Sequence, residues 1–349
     1  MEVEGKFTPA VVDFSKDSDE SMREKIKAAC SGSLSPCFVV ANHGLEPLID
    51  RVINMALNPT GGDSNCHGTN GVSSTKSPLL APPPAPCTTC EIADTSAGQA
   101  LREALREKVV GRLVDTLTGG PEYRRGLANA GKVLDGRISV RCYDRKAAVV
   151  GGSGTSLESS IDDLDVLDSV DSSALGPHCD GNVLTVLFAN GPGLQIPGPK
   201  SDITPAKISA VGMPSIGPVE TDNERKSDVS WVDVGGFWKT REDASASVCD
   251  LKGGSAAGGS SGPAGGLLVT FGHGWMRDTD AAPLRAALPE IRCPVLHRVR
   301  HLKPSDELPA CGIRMSIPYL VRFLDTPSVA VPSNPACSAR VDLGGITDI

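Results

Sequence analysis

A chain of 349 residues, 40% hydrophobic and 22% charged, has length for one large domain or two ordinary ones, and its composition is globular rather than disordered or membrane-spanning. A formal net charge of −8 argues against nucleic acid as a partner, because phosphate binding needs clustered Lys and Arg. No apolar run approaches the roughly 18–20 residues of a bilayer crossing, so no membrane partner is expected either. The acidic opening MEVEGKFTPAVVDFSKDSDE lacks the basic-then-apolar order of a secretory signal. Eleven cysteines, odd in number and irregularly spaced, then read as free thiols in a reducing compartment, with the cytoplasm as the expected location.

FTPAVVDFSKDSDESMREKIKAACSG predicts a short strand, a polar cap and a helix, with Met22, Ile26 and Ala29 at helical spacing and Gly32 as the stop. CFVVANHG follows as a strand and turn. In LEPLIDRVINMALN, residues Leu45, Leu48, Ile49, Val52, Ile53 and Ala56 make an apolar helix face that Asn58-Pro59 ends. This first segment spans 1–58. Residues 59–94, loaded with Gly, Ser, Thr and Pro, read as a low-complexity surface insertion. A long helix is expected within 95–133, where Leu101, Leu105, Val109, Leu113 and Leu117 form one stripe. Beyond Gly136 short β-type runs (GRISVRCY, NVLTVLFA, GLQI, SWVDV, GLLVTFG, CPVLHRV and GIRMSIPYLVRFL) are separated by Gly/Pro turns, which predicts a sandwich or barrel. Stretches 151–173 and 239–266 read as insertions within this region of 134–326, and 327–349 as a tail.

The chemistry centres on PHCDG. His178 and Asp180 at i and i+2 of an extended segment share a face, with Cys179 turned away. Of six histidines, at 43, 67, 178, 273, 297 and 301, His297 lies in an apolar β-type run and is the expected third member. Two imidazoles and a carboxylate leave open positions on a metal, as non-haem Fe(II) oxygenases need, although Zn²⁺ is also compatible with such donors. An HxD triplet by itself is equally an ordinary polar turn. Arg314 and Ser316 again share a strand face, and a guanidinium fork beside a hydroxyl matches a carboxylate.

In this order the motifs resemble the iron(II)/2-oxoglutarate-dependent dioxygenases, in particular the branch with isopenicillin N synthase and the plant oxygenases of hormone and flavonoid metabolism. HCDGNVLTVLFANGPGLQI resembles that family's HxD strand with its Gly-Leu-Gln, LHRV its distal-histidine motif and RMS its RxS, while AVVDFS…ANHGLEPLIDRV resembles its N-terminal segment. Where the family carries Asn-Tyr-Tyr-Pro, the chain has Arg141-Cys142-Tyr143-Asp144. The resemblance implies an α+β fold with a mainly β core, a double-stranded β-helix (distorted jelly roll) flanked by N-terminal helices. It implies Fe(II) held by His178, Asp180 and His297 as the catalytic centre. Arg314 and Ser316 would hold the distal carboxylate of 2-oxoglutarate, and Tyr143 would add a hydroxyl contact. The implied reaction consumes O₂, supported by ascorbate, and decarboxylates 2-oxoglutarate to succinate and CO₂ while a small organic substrate is hydroxylated or desaturated by a monomeric enzyme. Two alternatives stand beside it: an iron oxidase of the same fold without 2-oxoglutarate, and a non-catalytic jelly-roll module that binds a ligand.

The remaining candidates read as structural. His43 in ANHG and His273 in FGHGW suit turns, and His301 is a near neighbour that competes with His297. Cys66-His67 with Cys87-x-x-Cys90 has the flavour of a zinc site but lacks a second matching pair. GGSAAGGSSGPAGG reads as a flexible linker and IDDLDVLDSVD as a solvated surface.

Overall fold

The computed structural model describes residues 6–57, 87–144, 173–198, 201, 204–210, 229–235, 265–303, 305, 306, 308 and 313–326. Cys66-His67, the acidic run and nearly all of the Gly-rich linker lie outside these residues, as does the tail.

Strand β1 (Ala10–Asp13) leads to helix α1 (Asp19–Cys30), whose N-cap Ser18 accepts from the Ser21 N–H at 3.2 Å. Met22 and Ile26 are fully buried, and Gly32, at φ +69°, takes the left-handed conformation that ends the segment. Strand β2 (Cys37–Ala41) and helix α2 (Glu46–Leu57) follow as expected. The stretch expected to be insertion as far as residue 94 instead finishes in strand β3 (Cys87–Glu91) at a sheet edge, and Ile92 just beyond it is fully buried.

Helix α3 (Ser96–Ala104), capped by Thr95, runs without interruption through a π-helical segment, Leu105–Gly111, into α4 (Arg112–Thr118). The apolar stripe explains the π segment. Leu101, Leu105, Val109, Leu113 and Leu117 recur every fourth residue, which on an α-helix drifts by roughly 40° per step. The wider π turn absorbs that drift, and all five side chains stay buried. The single long helix expected within 95–133 is therefore cut at Gly119 (φ +81°), and a short α5 (Glu122–Asn129) precedes β4 (Lys132–Asp144).

The remaining strands are β5 (Ser173–Cys179), β6 (Leu184–Ala189), β7 (Leu194–Pro197), β8 (Trp231–Asp233), β9 (Leu267–Phe271), β10 (Leu296–Arg300) and β11 (Ile313–Asp325). They form a seven-stranded sheet, β1-β2-β9-β6-β11-β4-β3, and a four-stranded sheet, β5-β10-β7-β8. Every pairing is antiparallel except β1 with β2. Strands β10 and β11 belong to different sheets.

The period-two alternation of β11 sorts the molecule into two layers. Met315, Ile317, Tyr319 and Val321 join the buried cluster that includes α1 to α5 residues. Arg314, Ser316, Pro318 and Leu320 line a cleft shared with residues of the smaller sheet. Asp135 anchors the helical layer, accepting bonds from Arg102, the Tyr319 hydroxyl and the Gly136 N–H. Among the described residues, no helix is long and apolar enough to cross a membrane.

Candidate metal centre

His178 is the next-to-last residue of β5, and its register partner across the antiparallel ladder is His297 on β10. The two rings lie with centroids 4.3 Å apart at 55°. Each ring places Nδ1 against the carbonyl two residues earlier, His178 on Gly176 O at 2.8 Å and His297 on Val295 O at 3.1 Å. A carbonyl only accepts, so Nδ1 carries the proton in both rings and Nε2 keeps its lone pair. Burial, followed by the neighbouring His297, lowers the His178 pKa and so favours this neutral, ligating form.

Asp180 sits just past β5, in the turn that leads to β6. Its Oδ1 lies 3.8 Å from His178 Nε2 and 3.9 Å from His297 Nε2. Its Oδ2 accepts from the Thr185 hydroxyl at 2.5 Å, and Thr185 Oγ1 accepts in turn from Asn182 Nδ2 at 2.9 Å. One carboxylate oxygen is thus fixed by the protein and the other faces the imidazoles. Metal bonds of about 2.1 Å at right angles put donors about 3 Å apart, so small side-chain rotations would close the set on one ion. Donor type, tautomer and convergence all fit a first-row divalent metal. Among the described residues, this trio is the only such group of three metal-ligating side chains.

The glycines around His273 support this turn. His273 N–H donates to Asp180 O at 2.7 Å, Gly274 N–H to Asn182 O at 2.9 Å and Gly272 N–H to Val183 O at 3.2 Å. A Cβ on Gly272 would lie 2.3 Å from Asn182 O and 2.6 Å from Asp180 O. FGHG is not the tight turn its glycines suggested: Gly272 is the N-cap of a short helix, His273–Arg277, and the two glycines let two backbones meet behind Asp180.

Strand β10 is fixed from the other side. The Arg300 guanidinium binds Asp233 and Asp306 together, with Nη2 at 2.8 Å from Asp233 Oδ2 and 2.9 Å from Asp306 Oδ1. Arg298 donates to Gln195 Oε1 at 2.8 Å, and Gln195 Nε2 donates to Asp233 at 2.9 Å. His297 therefore sits close to two arginines that tie its strand to β7 and β8.

Arg314, only 1% exposed, lies at the other end of the cleft. Its guanidinium stacks 4.5 Å above the ring of Tyr143, its register partner on β4, and Ser316 is buried two residues on. The turn after β6 curls over this arginine. Gly193 there has φ +110°, a conformation that L side chains rarely adopt, with its Cβ position 3.7 Å from Arg314 Nε. Asp180, His297, Tyr143, Arg314 and Ser316 line one cleft, together with Thr185, Arg141 and a set of aliphatic side chains.

His43 is structural as expected: Nδ1 accepts from the Leu45 N–H at 3.0 Å, which leaves Nε2 to donate to Gly265 O at 2.9 Å. His301 lies outside the trio. Thr185, Arg141 and the Gly272/Gly274 pair escaped the sequence reading. The signal for Thr185 was present as the one polar residue between Val183 and Ala189.

No family profile matches the sequence, and no curated protein does. Among solved structures the chain is similar to a full-length Neurospora crassa protein in complex with alpha-KG, at 14% identity and TM-score 0.47, with 90% of this chain and 84% of that chain covered. It is also similar to AtDAO1, dioxygenase for auxin oxidation 1 of Arabidopsis thaliana, in its 2-oxoglutarate complex, at 13% identity and TM-score 0.43, with 91% and 94% covered. A third similar structure is JOX2 in complex with 2OG, Fe and JA, at 13% identity and TM-score 0.42, with 91% and 76% covered. With every TM-score under one half, the functional reading rests on the geometry of the site.

Proposed function

We propose that the chain is an Fe(II)- and 2-oxoglutarate-dependent dioxygenase that hydroxylates or desaturates a small organic molecule, working as a monomer on a double-stranded β-helix core. One observation carries this reading: His178 Nε2, Asp180 Oδ1 and His297 Nε2 converge in a cleft that also holds the buried guanidinium of Arg314.

His178, Asp180 and His297 would hold the metal, the Nδ1 contacts with backbone carbonyls leaving Nε2 of each ring as the ligating nitrogen. Thr185 keeps Asp180 from rotating away. Bound there, Fe(II) supplies the redox chemistry with O₂ that couples decarboxylation of 2-oxoglutarate to oxidation of the substrate. Arg314 would bind the distal carboxylate of 2-oxoglutarate through its fork, Ser316 would add a hydroxyl donor, and Tyr143, whose ring stacks on the guanidinium, would add a hydroxyl contact. Leu187, Leu194 and Val299 exclude water from the space between.

The test is release of CO₂ from labelled 2-oxoglutarate by purified protein with Fe(II), ascorbate and O₂. Turnover, even slow and without added substrate, that disappears in His178→Ala supports the reading. Tight iron binding with no 2-oxoglutarate consumption under any substrate pool rejects it.

A further inference from the structure

Two arginines, not one, reach the cleft. Arg314 is enclosed, whereas Arg141, on the same face of β4 as Tyr143, is half-buried and pairs in register with Ser316 on β11. Arg141 lines the same wall as Asp180 and His297, and its charge is felt at the His178 imidazole. Among the described residues neither an acidic side chain nor a backbone carbonyl meets its guanidinium, in contrast to Arg300, which binds two carboxylates. A half-buried cation aimed at a cleft beside a metal site is poised for an anion that arrives from outside.

We propose that Arg141 anchors the anionic group of the primary substrate, which is accordingly a small aliphatic carboxylic acid. This rests on the oxygenase reading and adds the substrate class to it. Leu175, Leu187, Leu194, Val299, Pro318 and Leu320 form the aliphatic part of the wall, which suits a hydrocarbon chain. Tyr143, the one aromatic side chain of the wall apart from His297, has one face taken up by Arg314.

The experiment is calorimetric titration of the Mn(II)-loaded protein, with and without saturating 2-oxoglutarate. The probes are straight-chain acids from butanoate to octanoate, each paired with its uncharged primary amide. In the wild type at least one acid binds about tenfold or more tightly than its amide, as expected for a charge-assisted pair. Arg141→Gln brings that ratio close to one while 2-oxoglutarate binding changes by less than about twofold, and Arg141→Lys keeps part of the preference. The proposal is overturned by a wild type with no acid-over-amide preference, by a preference that survives Arg141→Gln, or by a tenfold loss of 2-oxoglutarate binding in that variant, which would assign Arg141 to the cosubstrate. If Arg141→Gln does not fold, the same ratios are read in Arg141→Met. If 2-oxoglutarate fails to bind the wild type, the oxygenase reading falls separately. The acid-amide ratio in the metal-loaded protein, with Arg314→Gln as control for binding at the deeper arginine, then still decides the role of Arg141.

Discussion

Asp180 and Thr185 divide the work of one carboxylate: Oδ2 accepts the threonine hydroxyl at 2.5 Å while Oδ1 faces the two imidazoles. Thr185→Val keeps the shape and removes the hydroxyl, so the carboxylate becomes free to rotate. Outer hydrogen bonds of this kind are worth about 10–100-fold in metal affinity. We expect the Mn(II) or Fe(II) dissociation constant to rise at least tenfold with little change in melting temperature, and to recover in Thr185→Ser. Wild-type affinity in Thr185→Val would mean that Asp180 is oriented by something else.

Gly272 packs behind the same carboxylate. Its Cβ position meets backbone oxygens of Asn182 and Asp180 at 2.3 and 2.6 Å, and backbone cannot swing aside as a long side chain can. Gly272→Ala should cost about 1–3 kcal/mol, as overpacking does, and weaken metal binding along with the melting temperature. Gly126→Ala is the control, because that helical glycine has nothing within 4 Å of its Cβ position. There the change should raise stability by up to about 1 kcal/mol. Urea titrations of the two variants would show opposite shifts of the midpoint, and a harmless Gly272→Ala would show that the turn has room.

Acid should unfold the protein through buried carboxylates that the site's scaffold depends on. Burial pushes the Asp135 carboxyl upward, but bonds from Arg102, Tyr319 and the Gly136 N–H more than reverse this, and its pKa is lowered. Asp306 follows the same pattern, with Arg300 overcoming burial. A depressed carboxylate pKa contributes stability that is present above the unfolded value, about 3.9, and lost as pH falls through the folded value. The urea midpoint should therefore hold from pH 7 to about 5 and fall steeply below about 4. Asp135→Asn should be less stable at neutral pH and show a shallower acid limb. An acid limb as steep as that of the wild type in Asp135→Asn would place the sensitivity elsewhere.

The sequence made the donor set legible because its parts are local. His178 and Asp180 stand two apart, His297 follows an apolar run, and Arg314 alternates with Ser316 along a strand. Burial periodicity exposed α1, α2 and the helical stripe for the same reason. What escaped was non-local. Nothing in NVLTVLFA tells that Thr185 bonds back to Asp180, and nothing in FGHG tells that its glycines meet the Asp180 turn, since each requires the partner segment to be in place. The turn at Asp180 carries the chain from the smaller sheet to the larger. The stripe that ends at Leu117 and the Gly-Gly-Pro after it mark the break at Gly119.

Arg314 offers the sharpest test of the cosubstrate. Its fork is held by the Tyr143 ring below and by the turn at Gly193, which leaves its bonding plane fixed inside a buried wall. Lysine keeps the charge but replaces two parallel donors with one compact ammonium that reaches less far and stacks less well. Arg314→Lys should raise the 2-oxoglutarate concentration for half-maximal CO₂ release by about tenfold or more. Mn(II) affinity should stay near wild type, because Arg314 is not one of the donor trio. The two quantities separate the roles. Loss of both would signal a collapsed cleft, whereas an unchanged 2-oxoglutarate requirement would remove Arg314 from the cosubstrate site.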